Sequence, residues 1–169
     1  PCSIVTLSSH TKVIYIDESR RIVRSNTTIS GQFFNALVEA TNLGKSLVPA
    51  EGEQSGGYTL EELIFVAQDC VQNAGLGRTC LMARFMQVLL TTDSSERRTF
   101  IDAAIAADDV KAFREMRESG CANARYILYG QQQRCDLYAY ILKKEFGGEL
   151  IIETIGQSER IDELTVAGT

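Results

Sequence analysis

The sequence predicts an α/β (α+β) fold, a single compact domain in which about five helices pack a mixed β-sheet. Three observations carry this. Short runs rich in Ile, Val and Tyr lie near both ends of the chain, helical periodicity fills the middle, and glycine-bearing junctions separate the runs. With 169 residues, 44% of them apolar and 23% charged, the chain can bury a core without staples.

Taken in order, SIVTL (Ser3 to Leu7) reads as a short buried strand. KVIYI (Lys12 to Ile16) and RIVRS (Arg21 to Ser25) flank DESR, which has turn composition. Thr28 or Ser30 can cap a helix whose stripe is Phe33, Phe34, Leu37 and Val38 and which runs toward Gly44. Residues 44–58 hold four glycines and one of the two prolines, and are expected to form a mobile loop, a candidate lid.

Thr59 and Glu62 then have capping-box spacing, in which each side chain satisfies one orphan N–H of the helix start. Leu60, Leu63, Ile64, Ala67, Cys70 and Val71 follow at a 3.6-residue period up to Gly75. Another helix is expected from about Cys80 to Leu90, with Met82, Phe85, Met86 and Leu89 on one face. Asp93 and Glu96 repeat the capping-box spacing ahead of Phe100, Ile101, Ala104 and Ile105. Helix resumes at Val110, Phe113 and Met116 and ends at Gly120. ARYILY (Ala124 to Tyr129) reads as a strand, Gln131 to Phe146 as a helix with Cys135, Tyr138, Ile141 and Leu142 inward, and ELIIETI (Glu149 to Ile155) as the last strand. The expected organisation is one α/β domain over 1–155 and an acidic C-terminal tail over 156–169.

The net charge of −5 is uneven, because residues 149–169 hold five acids against Arg160 alone. Five cysteines, at 2, 70, 80, 121 and 135, form an odd set without a CxxC pair, and His10 is the single histidine. This points to a reducing, cytoplasmic setting and argues against a disulfide framework or a metal site. No apolar run reaches the ~20 residues of a membrane span. PCSIVTLSSH has no basic start or long apolar core, so no secretory leader is expected. RRIVR (Arg20 to Arg24) and Arg97-Arg98 are too sparse, on an acidic chain, to suggest nucleic acid.

The chemistry concentrates in QNAGLGRTCLMARF, Gln72 to Phe85. Backbone N–H groups at a glycine-rich turn, with the positive end of a following helix, make a site for phosphate or carboxylate. Gly75 and Gly77 would let the backbone approach, Thr79 would add a hydroxyl, and Arg78 would give bidentate hydrogen bonds. The competing structural reading makes Gly75 the C-cap of one helix and Thr79 the N-cap of the next. Cys80, near a helix start and Arg78, is a candidate catalytic thiol.

NAGLGRT followed by an apolar helix resembles the phosphate-cradling signature of cysteine-dependent protein tyrosine phosphatases. VKAFREMRESG and YGQQQRCDLYAYIL echo the segments that follow it in that family. Gln72 stands where the nucleophilic cysteine would be, and Val71 replaces the histidine before it. The resemblance therefore implies an inactive, phosphate-binding module that keeps Gly75, Gly77, Arg78 and Thr79. Pro1 ahead of a strand resembles the start of tautomerases, although two more strand-like segments follow it here.

The leading expectation is a non-enzymatic regulatory, adaptor or assembly protein acting through a protein partner or self-association, without cofactor or metal. The alternatives are the phosphatase-like module lacking its nucleophile, recognising a phosphate-bearing ligand, and a cysteine-dependent enzyme using Cys80.

Overall fold

The structure, a computed structural model, describes residues 1–156. The acidic tail lies outside the described residues from position 157 onward. The fold is α/β, as the sequence predicts, with a mixed five-stranded sheet and five α-helices among the described residues.

The strands are β1 (Cys2–Leu7), β2 (Thr11–Ile16), β3 (Ile22–Thr28), β4 (Arg125–Gly130) and β5 (Ile151–Ile155). Their spatial order is β3-β2-β1-β4-β5. β1, β2 and β3 form an antiparallel meander, whereas β4 and β5 run parallel to β1. Two-residue alternation decides the facing: Val5 and Leu7 of β1 and Tyr126 and Leu128 of β4 are buried. β3 is an edge strand, with Ile22 and Val23 exposed and Arg24 and Asn26 both bonded to Glu115.

The helices are α1 (Ser30–Ala40), α2 (Leu60–Ala74), α3 (Leu76–Leu89), α4 (Ser94–Met116) and α5 (Gln132–Phe146), with a short 3-10 turn at Asn42–Ser46. Among the described residues the chain divides into two compact units, 1–31 with 109–156 and 32–108. The first holds the sheet. In it α5 packs on β4 and β5, and Phe113 lies with its ring 6.4 Å from both Tyr126 and Tyr138.

The second unit holds the α2–α3 pair and the whole glycine-rich segment, 44–58. Both capping boxes form: Thr59 with Glu62 at α2, and Asp93 with Glu96 at α4. Glu96 also accepts bonds from the Gly56 and Tyr58 N–H groups and from the Ser55 hydroxyl. Burial pushes this carboxyl up, but the Gly56 and Asp93 N–H groups, Ser55 and Tyr58 outweigh it and hold it at about 2. Arg97 is fully buried and donates to the Ser46 and Thr92 carbonyls and to Glu53.

Three local expectations need correction. α3 begins at Leu76, because Gly75, at φ 80°, closes α2 and opens α3 with no spacer. α3 buries Thr79, Cys80, Ala83 and Met86, so of the apolar face expected from Met82, Phe85, Met86 and Leu89 only Met86 is covered and the other three are exposed. α4 runs unbroken where a pause was expected near Asp108, because Ala103, Ala104, Ala106 and Ala107 are strong helix formers and Asp109 finds buried partners.

Candidate functional site at the carboxyl edge of the sheet

In an open sheet with parallel strands, a crevice forms where neighbouring strands send their connections to opposite sides. Here that point lies at the carboxyl ends of β1 and β4. β1 leads to β2 on one side, and β4 leads through α5 to β5 on the other. Leu7 and Gly130 are register partners at this edge.

The residues gathered there come from distant parts of the first unit. Ser8, Ser9 and His10 turn β1 into β2, with the Ser9 hydroxyl 3.0 Å from His10 Nδ1. Gly31, in the first turn of α1, packs so closely that a Cβ would run into the Ser8 carbonyl oxygen. Gly130 makes a similar approach to Leu7.

α5 starts immediately after, with Gln131 at its cap position and no side-chain cap, so the positive end of the helix faces this edge. Arg134 sits in that first turn, where the dipole disfavours a cation. It is held by a 3.1 Å bond from Nη1 to the Ser8 carbonyl and by the Tyr138 ring, 5.9 Å below its guanidinium. An arginine beside an uncapped helix start, tied to the Ser8–Ser9 turn through the Ser8 carbonyl, is an arrangement that can hold an anion.

Beneath the edge lies a buried polar cluster. Asp109 accepts from the Ser30 hydroxyl at 2.5 Å and from the Tyr138 hydroxyl at 2.6 Å. Thr28 lies 2.6 Å from Ser30, and Thr11 lies 3.3 Å from the Tyr138 oxygen. Burial, reinforced by the Asp109 carboxylate, pushes the Tyr138 phenol far above its ordinary range.

The residues singled out from the sequence sit elsewhere, at the α2–α3 joint. The Gly75 carbonyl accepts from both the N–H and the hydroxyl of Thr79, so Thr79 is inside the first turn of α3 and not its cap. Arg78 and Gly77 are exposed, and Thr79 and Cys80 are buried. Burial, with Asp108 adding to it, pushes the Cys80 thiol up to about 11, away from the thiolate a nucleophile needs.

The family profile of 2-keto-3-deoxy-galactonokinase matches residues 2–154. The chain belongs to this family. A solved structure, of a candidate 2-dehydro-3-deoxygalactonokinase protein from Sinorhizobium meliloti, shares the fold at a TM-score of 0.68 and 16% identity. That match covers 98% of this chain and 52% of the other, so the chain spans about half the length of this relative. No curated protein matches the chain.

Membership of the 2-keto-3-deoxy-galactonokinase family overturns the expected non-enzymatic adaptor or assembly protein, and with it the protein partner or self-association expected to carry its function. It equally overturns the phosphatase-like module and the cysteine-dependent enzyme. The physical reasons agree. The phosphatase signature needs a strand feeding its loop, whereas Gly75 joins two helices, and Cys80 is a buried thiol. No helix among the described residues is long and apolar enough to cross a membrane.

Sequence alone gives no functional role to Ser8, Ser30, Gly31, Asp109 or Arg134. One signal was present: a strand ending at Gly130 and passing straight into a helix with an arginine in its first turn.

Proposed function

We propose that this chain supplies one half of a sugar-acid kinase, which transfers the terminal phosphoryl group of ATP to a hydroxyl of a 2-keto-3-deoxy sugar acid. The hydroxyl oxygen bonds to the terminal phosphorus, the bond from that phosphorus to ADP breaks, and the hydroxyl proton is released. The family match over residues 2–154 is the observation that carries this reading.

The carboxyl edge of the sheet supports it chemically. Phosphoryl transfer relies on positioning and charge stabilisation, and both ligands are anionic. We assign the nucleotide phosphates to the uncapped start of α5, with Arg134 and the Ser8–Ser9 turn around them. Thermal unfolding against Mg–ATP and 2-keto-3-deoxygalactonate tests this. A ligand at about 100 times its dissociation constant adds about 2.7 kcal/mol of stability. Stabilisation of the wild-type protein that is lost in Arg134→Ala is expected. Indifference to both ligands would overturn the reading.

A second proposal concerns Gly75, Gly77, Arg78 and Thr79. The start of α3 has no side-chain cap and carries an exposed arginine, which favours a separate anion site there. Stabilisation by inorganic phosphate that disappears in Arg78→Ala is the expected result, and an identical response of both proteins would remove the site.

A further inference from the structure

We propose that Asp109 is a positioning residue for the anion-holding edge, acting through Ser30 and Tyr138; this rests on the kinase reading above. Its carboxylate can only accept hydrogen bonds, and each neighbouring hydroxyl has a single proton to give. The directions are therefore forced. Ser30 and Tyr138 spend their protons on Asp109, so Thr28 donates to Ser30 and Thr11 donates to Tyr138.

The chain of bonds ties five elements to one carboxylate: β2 through Thr11, β3 through Thr28, α1 through Ser30, α4 through Asp109 and α5 through Tyr138. Two of those ties end at the edge. Thr11 closes the Ser8–His10 turn as the register partner of Leu7. Ser30 precedes Gly31, whose backbone lies against Ser8.

Tyr138 has a further role one helical turn from Arg134. Its ring underlies the guanidinium that donates to the Ser8 carbonyl. Thr11, Ser30, Asp109 and Tyr138 are each at most 5% exposed, so Asp109 does not itself meet a ligand. A buried carboxylate costs stability relative to an apolar filling of the same space. What the arrangement supplies is a fixed geometry for the turn and for Arg134.

The test is a calorimetric titration of Mg–ATP into wild type, Tyr138→Phe, Asp109→Asn and Leu150→Ala. The last thins the core just before β5, at the opposite edge of the parallel strands, and serves as a stability control. Tyr138→Phe is expected to weaken binding about tenfold and Asp109→Asn at least as much, with Leu150→Ala within about twofold of wild type. Tight binding by wild type, Tyr138→Phe and Asp109→Asn alike would overturn the positioning role and leave the kinase reading standing. Failure of wild type to bind would remove the reading itself, and this inference with it. Should Asp109→Asn not fold, Tyr138→Phe decides alone, because it keeps the Ser30–Asp109 bond.

Discussion

Glu96 is the residue whose chemistry is most tightly bound to the fold. Four donors converge on its carboxylate, from Ser55, Gly56, Tyr58 and Asp93. Because its pKa is depressed to about 2, the ionised form stabilises the folded state above the ordinary carboxylate range. That contribution is complete above about pH 4.5 and is lost as pH falls toward 2. Glu53 is shifted in the same direction: burial opposes the shift, but Arg97 and the Ser94 N–H outweigh it. Glu96→Gln should cost about 2 kcal/mol in urea unfolding at pH 7 and flatten the acid limb below pH 4.5. An unchanged acid limb would show that another group governs it. This cluster was half legible: the Asp93–Glu96 spacing announced the cap, but nothing near Glu96 in sequence announced Ser55, Gly56 or Tyr58.

At the scale of elements, helix starts decide what the sheet can offer. Gly31 lets α1 begin against the turn between β1 and β2, and any side chain there meets the Ser8 carbonyl. Gly31→Val should therefore destabilise the fold by about 2 kcal/mol and weaken Mg–ATP binding together, measured by urea unfolding and calorimetry. Loss of stability with full affinity would separate the turn from the ligand.

Elements were the readable level of this sequence. Each strand and helix leaves a local signature, such as the alternation in Lys12 to Ile16 or the Thr59–Glu62 box. The failures there have physical causes. Gly75 serves two helices at once, and α3 buries Met86 with three smaller residues, Thr79, Cys80 and Ala83, while Phe85 and Leu89 stay exposed. An apolar stripe in sequence does not say which stripe is covered.

For the molecule as a whole, the candidate site illustrates why function was harder to read than fold. Ser8, Ser30, Asp109 and Arg134 are separated by 22, 79 and 25 positions and meet only because β1 and β4 are parallel neighbours. The conspicuous glycines of NAGLGRT lie instead at the joint of two helices. The central claim is that phosphate binds at the carboxyl edge of the sheet. The most direct measurement is a backbone amide NMR titration of the protein with Mg–ATP. The account predicts chemical-shift changes clustered at Ser8–Lys12, Ser30–Gln32 and Gly130–Arg134. Changes confined to Gly75–Thr79, or none anywhere, would contradict it.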